Sequence, residues 1–312
     1  MAIIIKTTGK AIPKKIMHNS DFPASLDTSD EWIRSHTGIG SRYIASQEDT
    51  SASLGAEACK QVLANENLNP QDIDLIICAT ATAEYQGFPS NACLIQKELG
   101  AKNAACFDLS AACSGFLYAI DTAAALMERH GRRYALVCGT EVLSKIIDWQ
   151  DRSTCVLFGD GAGATLLENT FDNSKRGIGS VILGSDGTGY EALYMGDYLK
   201  MNGRTVYNFA VGVITETVKS LLQKENINME DVDLVVCHQA NKRILEAAAK
   251  RLNTDMSKFA CNMENYGNTS AASIPITLDD LRLQGKLTEG TTIITAGFGA
   301  GLTWGGNKIL VK

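Results

Sequence analysis

The chain has no basic excess. Against 35 Asp and Glu stand only 29 Lys and Arg in 312 residues, a net charge of −6 with a pI near 5.3. That balance argues against a general nucleic-acid binder and leaves room only for a local basic patch. Long apolar runs are also missing. No stretch approaches 18 uninterrupted apolar residues, and the opening Met1-Ala2-Ile3-Ile4-Ile5-Lys6 is too short for a signal peptide, so a cytoplasmic protein without a membrane partner is expected. The nine cysteines are odd in number and show no C-x-x-C spacing, which removes the disulfide framework and the zinc ribbon. They read as reduced and mostly buried, and no metal is expected. Proline is scarce at five, and there is no charge block or low-complexity linker to separate independent bodies. What remains, 45% hydrophobic and 21% charged, is ordinary globular composition with enough chain for a large core.

Apolar, strand-like runs (Leu75 to Cys78, Ala104 to Leu109, Tyr134 to Cys138, Val181 to Leu183, Leu234 to Cys237, Thr292 to Thr295) alternate with helical ones. The latter are Thr50 to Asn65, Ser90 to Leu99, Ser114 to Arg129, Val211 to Lys224, Asn241 to Leu252 and Ser270 to Gln284. The pattern predicts an α/β fold whose strands are covered by helices on both faces. The chain also echoes itself. Asn67-Leu68-Asn69-Pro70-Gln71-Asp72-Ile73-Asp74-Leu75-Ile76-Ile77-Cys78 returns as Asn226-Ile227-Asn228-Met229-Glu230-Asp231-Val232-Asp233-Leu234-Val235-Val236-Cys237, and Gly161-Ala162-Gly163-Ala164-Thr165 as Gly299-Ala300-Gly301-Leu302-Thr303. The offset falls from 159 residues (72 to 231) to 138 (161 to 299), placing about 21 extra residues in the first half, around 142–154. Two duplicated α/β halves, 1–170 and 171–312, packed as one layered αβαβα body, are the expected architecture.

Cys113, in Asp108-Leu109-Ser110-Ala111-Ala112-Cys113-Ser114-Gly115, sits between an apolar strand and a long helix. Free N–H groups at a helix start favour a neighbouring thiolate by roughly 0.3–2 kcal/mol, so this junction predicts a thiol that ionises more easily than usual. A small cysteine packed in the core fits the same residues. His238, in His238-Gln239-Ala240-Asn241, directly follows an apolar strand and so lies at the carboxyl edge of a sheet, where ligands collect in such folds; a core histidine bonded to a carbonyl fits as well. Asn265-Tyr266-Gly267-Asn268-Thr269-Ser270 precedes a helix of small residues and is either an N-cap or the repeat's counterpart of the Cys113 junction, which would bring Asn268 opposite Cys113. Gly297-Phe298-Gly299-Ala300-Gly301 offers free N–H groups for an oxyanion hole, or simply a tight bend.

Together these motifs resemble the β-ketoacyl-acyl-carrier-protein synthase III family of the thiolase-like superfamily, essentially end to end. Carrying the resemblance are the Cys113 motif, His238 to Asn241, Gly267-Asn268-Thr269-Ser270-Ala271-Ala272-Ser273, Phe158-Gly159-Asp160-Gly161-Ala162-Gly163 and the Gly-Phe-Gly turn. It implies the thiolase-like fold and the initiating condensation of fatty-acid synthesis: acyl-CoA, with acetyl-CoA or another short primer expected, plus malonyl-acyl-carrier protein. Cys113 would carry the acyl group. His238 and Asn268 would hold the malonyl carbonyl through decarboxylation, and the N–H groups of Cys113 and Ala300 would bind the oxyanion.

Further implications of the resemblance are a CoA tunnel involving Thr28, Trp32, His36, Arg152, Tyr207, Ala240 and Asn241, with Trp32 and Arg152 flanking the adenine, and an acyl pocket of Phe88, Leu143, Phe158 and Phe298. Relatives usually carry Arg where His36 stands, which would weaken CoA phosphate binding there or make it depend on pH. A homodimer is implied, with Phe88 reaching the partner's acyl pocket. No cofactor is needed beyond the CoA thioester substrate. Arg243, Lys250 and Arg251 on one helix form a docking patch for an acidic carrier protein, or a solvated face. The Cys, His, Asn order also occurs in papain-like proteases, but the Cys113 surroundings lack their signature; elongating synthases use a second His and thiolases a second Cys, and neither is present. A divergent acyltransferase of secondary metabolism is the alternative within the family.

Overall fold

The computed structural model describes residues 2–172 and 177–312. Strands are β1 (Ile3–Ala11), β2 (Lys15–His18), β3 (Ser41–Ile44), β4 (Leu75–Ala79), β5 (Ala105–Leu109), β6 (Tyr134–Glu141), β7 (Gly161–Asn169), β8 (Ile178–Ser185), β9 (Leu193–Met195), β10 (Leu199–Met201), β11 (Leu234–Cys237), β12 (Thr292–Gly299) and β13 (Thr303–Leu310). Helices are α1 (Asp30–Thr37), α2 (Ser51–Asn65), α3 (Asn91–Leu99), α4 (Gly115–His130), α5 (Arg152–Cys155), α6 (Gly203–Glu225), α7 (Lys242–Arg251), α8 (Met263–Tyr266) and α9 (Ser273–Leu283).

One sheet has the order β1-β7-β6-β4-β5, with β4 parallel to β5 and β6 and the rest antiparallel; the other runs β11-β12-β13-β8, with only β11 and β12 parallel. The orders superimpose strand for strand except at the edge, where β5 has no full counterpart and a single bridge from Val235 to Phe259 takes its place. α4 and α9 lie between the sheets, their Phe116, Ile120, Ile274 and Leu278 packed against strands of both. α2 and α3 cover the outer face of the first sheet through Val62 and Ile95, and α6 and α7 that of the second through Val218 and Leu245. Because β4 and β6 are buried on both faces, their sequences are continuous apolar runs rather than alternating ones.

The longer sequence echo is structural. Asn67 and Asn226 both adopt left-handed backbone, at φ 49° and 52°. Asp74 accepts from Tyr134 N, and Asp233 from Thr292 N, each at the start of the neighbouring strand. The glycine echo is out of register. Gly161 pairs with Glu141 at the opening of β7, and the equivalent residue opening β13 is Thr303, paired with Gly299. The first-half insertion is therefore 142–160, set against a turn of 300–302, shorter than the sequence offsets implied. α6 begins at Gly203, well before the expected Val211, because Val206 and Ala210 continue its buried stripe. All nine cysteines are free, six of them buried. No helix among the described residues is long and apolar enough to cross a membrane.

Candidate active site

The chain leaves β5, turns left-handed at Ala112 (φ 47°), makes one 3-10 turn over Ala112–Ser114 and enters α4. Left-handed backbone costs a residue with a Cβ roughly 1–2 kcal/mol, so the surroundings must enforce it. The second half does the same at Ser270 (φ 49°), with a 3-10 turn over Ser270–Ala272 leading into α9. The two turns pack against each other. Glycine makes this approach possible: a Cβ on Gly139 would stand 2.1 Å from the Ala271 carbonyl oxygen, and one on Gly299 would stand 2.6 Å from Cys113 N.

Two cavities meet at Cys113. One, of about 240 Å³, is lined by Trp32, His36, Tyr207, Ala240 and Asn241 and reaches Cys113, His238, Asn268, Phe158 and Phe298. The other, of about 110 Å³, runs past Cys113 between Leu143, Phe158 and Ala300, with Ala81, Ile146, Leu193, Tyr194, Met195 and Leu199 completing its wall. Cys113, His238 and Asn268 are all buried, with 8%, 1% and 6% of their surface exposed. Thiol, imidazole and carboxamide therefore line one cavity.

The hydrogen bonds define what each group presents. His238 Nδ1 lies 2.8 Å from Ser273 Oγ, which also accepts from Gln239 N at 3.4 Å. Among the described residues Nδ1 is the one acceptor for the Ser273 hydroxyl hydrogen, so Ser273 donates there and leaves the proton on Nε2. Burial pushes the imidazole down to about 3, so it is neutral and a donor. The edge of its ring contacts Phe298, 5.2 Å between centroids. Asn268 is held by backbone bonds to Leu157 and Gly159, and its Oδ1 accepts from Ser270 N at 2.9 Å, which leaves Nδ2 to donate. Two neutral N–H donors thus serve the cavity that contains the sulfur.

The thiol departs from expectation. Burial pushes Cys113 up to about 12, and the Glu141 carboxylate adds to this; the Ser270 hydroxyl and the residue's own N–H pull the other way and lose. The turn's N–H groups alone do not make it a resting thiolate.

Further corrections concern the binding residues. Phe88 lines neither cavity and is 86% exposed, since the loop that carries it points away from its own chain's core. Arg152 stacks on Trp32, its guanidinium 4.8 Å from the ring centroid, and hydrogen-bonds Asp27; no slot for an adenine lies between them. Thr28 and Arg152 lie outside the cavity lining, and the buried Thr28 hydroxyl has no partner among the described residues. Asn241 is committed to structure, capping α7 through Arg243 N and donating to the His36 carbonyl at 3.0 Å. His36 stacks on Trp32 at 4.3 Å and donates from Nδ1 to the Trp32 carbonyl at 2.7 Å. That bond commits Nδ1 to the backbone.

On α7, Arg243, Lys250 and Arg251 are exposed and make no ion pair among the described residues, while Lys242 pairs with Glu246. α7 is buried through Ile244, Leu245 and Ala248, and Ile244, next in sequence to Arg243, lines the larger cavity, whereas none of the three basic residues does. Sequence reasoning overlooked Ser273 and the β9–β10 wall. Ser273 lay inside a quoted motif as one more small helix residue, and the short ribbon carries no periodic signal.

Comparison with known proteins agrees with this geometry. Residues 107–187 match the 3-oxoacyl-[acyl-carrier-protein] synthase III profile, and 222–310 match that family's C-terminal profile. A β-ketoacyl-[acyl-carrier-protein] synthase III of Clostridium acetobutylicum is 48% identical over 314 residues, spanning 96% of this chain and 95% of that protein. This chain belongs to the β-ketoacyl-acyl-carrier-protein synthase III family. It has the thiolase-like fold and is an acyltransferase of the initiating condensation in fatty-acid synthesis. Among solved synthases III, that of Aquifex aeolicus superimposes with a TM-score of 0.95 at 43% identity, covering 99% of this chain and all of that one. That of Thermus thermophilus gives 0.94 at 40% identity, covering 98% of each.

Proposed function

We propose that Cys113 takes a short acyl group from acyl-CoA and passes it to an enolate made from malonyl-acyl-carrier protein. The products are 3-ketoacyl-acyl-carrier protein, CoA and carbon dioxide. The observation that carries the reading is the meeting of two cavities at one buried sulfur: the larger receives the pantetheine arm from the Trp32 and Tyr207 side, the smaller, apolar one takes the acyl chain. Thioester exchange is nearly isoenergetic and needs no cofactor. When CoA has left, the malonyl carbonyl accepts from His238 Nε2 and Asn268 Nδ2, and loss of carbon dioxide leaves an enolate held by these donors. Each such donor is worth about 2.7–4 kcal/mol where charge develops. The enolate attacks the acyl-Cys carbonyl, whose oxyanion rests on the N–H groups of Cys113 and Ala300.

Binding adenine asks Arg152 to swing off the Trp32 face, so those two residues form a slot that the ligand opens. The exposed basic face of α7 beside the larger cavity suits an acidic carrier protein. The halves 1–170 and 171–312 act as copies of one unit, each contributing one turn to the site. The chain works in the cytoplasm as a homodimer: β5 ends its sheet with an unpaired edge, and the exposed Phe88 is placed to reach a second copy's acyl cavity. Incubation with labelled acetyl-CoA and other short acyl-CoA primers, followed by peptide mass analysis, should find an acyl group on Cys113. An enzyme that no short acyl-CoA labels sinks the proposal.

A further inference from the structure

The chemistry above leaves the thiol proton unassigned. Burial holds Cys113 protonated at rest, and His238, with Nδ1 occupied by Ser273 and its basicity lowered by burial, is a poor acceptor. Glu141, at the end of β6, is the other titratable group beside the sulfur. It is fully buried and has no cationic partner among the described residues; hydroxyl and backbone donors hold it instead. Thr82 Oγ1 lies 2.6 Å away, Ala81 N 3.1 Å, Ser270 Oγ 3.0 Å and Thr80 Oγ1 3.3 Å. Burying a carboxylate without a cation is costly. Ser270 and Cys113 also line the same small cavity, on two turns that pack against each other. The left-handed turn at Ser270 thus brings the residue that bonds the carboxylate to the cavity that the thiol lines.

We propose that Glu141, acting through the Ser270 hydroxyl, receives the Cys113 proton during acyl transfer and returns it when the ketoacyl product leaves. The proposal rests on the synthase reading for its substrates. As sulfur bonds to the acyl carbon, its proton passes to Ser270 Oγ and the Ser270 proton passes to Glu141; the carbon–sulfur bond to CoA breaks, and the CoA thiolate takes a proton from water. In condensation the malonyl carbon loses carbon dioxide and bonds to the acyl carbon. The Cys113–carbon bond breaks, its electron pair stays on sulfur, and the proton comes back from Glu141 through Ser270. Glu141 gains and loses one proton per cycle, and it is neutral while the enolate is present. Ser270 exchanges the proton with the reacting sulfur, whereas Glu141 is a positioning and proton-holding residue.

Two rates, measured from pH 5.5 to 9, test this. One is acylation by labelled acetyl-CoA, and the other is alkylation of Cys113 by iodoacetamide, which needs no CoA site. Burial lifts Glu141 to about 7, and the titratable group facing it among the described residues is Cys113; the residues at 80–82 and the Ser270 turn offer it hydroxyl and backbone groups. Both wild-type rates should therefore rise through an inflection near that pH. E141Q should lose the inflection and acylate about 10²-fold more slowly at pH 7.5, the scale of general-base assistance. E141D should restore the inflection. S270A, which leaves Glu141 its other donors, should match E141Q. A wild-type inflection retained in E141Q, or E141D no better than E141Q, overturns the relay. If the wild type shows the alkylation inflection but accepts no acyl-CoA, the synthase reading falls and the relay stands.

Discussion

At Ala112 and at Ser270 the chain enters the left-handed region, makes one 3-10 turn and starts a helix buried between the sheets. The residue that follows is a thiol in the first half and Ala271 in the second. Ala271 is 1% exposed and lies outside both cavities, whereas Cys113 sits where they join. The difference comes from what surrounds each turn. The 142–160 excursion packs on the second turn, where Leu157 and Gly159 bond the backbone of Asn268, and it supplies Leu143 and Phe158 to the cavities; the first turn is backed by Gly299 and Thr303 on either side of the tight 300–302 turn, and the second half contributes donors from Asn268 and from His238 at the end of β11. One backbone solution thus carries two different duties, and sequence-local insertions decide which.

Moving the thiol is the most severe test of that contrast. C113A should show no acyl-enzyme, a loss beyond about 10³-fold, and adding A271C to it should restore none, because position 271 lines neither cavity; an acyl group found at position 271 of the double variant would break the comparison. Removing a donor comes next. N268A and H238A should slow decarboxylation of malonyl-carrier protein by about 10²–10³-fold while acylation, followed by mass analysis, changes far less. Equal loss in both steps would contradict the division of labour.

Glycines at equivalent sheet positions give a smaller, purely structural contrast. A Cβ on Gly139 meets a backbone carbonyl at 2.1 Å, whereas on Gly297 it meets the end of the Leu117 side chain at 3.0 Å. In urea unfolding, G139A should cost about 3 kcal/mol or more and G297A about 1 kcal/mol.

The pH dependence of stability refines the picture further. Glu141 titrates near 7 when folded and near 4.5 when unfolded, so as pH rises the unfolded chain loses its proton first and stability falls between those values. E141Q should flatten that fall, by at most about 3 kcal/mol. A wild-type curve already flat across the window would remove Glu141 as a buried acid.

The elements whose apolar period is clean, β4, β6, β11 and the helices of the middle layer, were legible, as was the reactive trio, because strand-end and turn-to-helix positions carry a local signal. Three things were not. The ionisation of Cys113 depends on burial by both halves, which no window of sequence contains. Arg152 lying on Trp32 joins residues from two separate helices, α5 and α1, and its geometry cannot be read from either. Glu141 lies beyond the apolar run Tyr134 to Cys138, and its meaning appears only when Thr82 and Ser270 close over it.

The wall of the smaller cavity has one more consequence. Leu193, Tyr194, Met195 and Leu199 belong to the β9–β10 ribbon, which joins neither large sheet. Changes in that ribbon can lengthen, shorten or reshape the compartment without disturbing the pairing that holds sulfur, imidazole and carboxamide in place. Taste in starter units and chemical competence are therefore separately adjustable: descendants of such a chain can diversify what they begin from while inheriting how they begin.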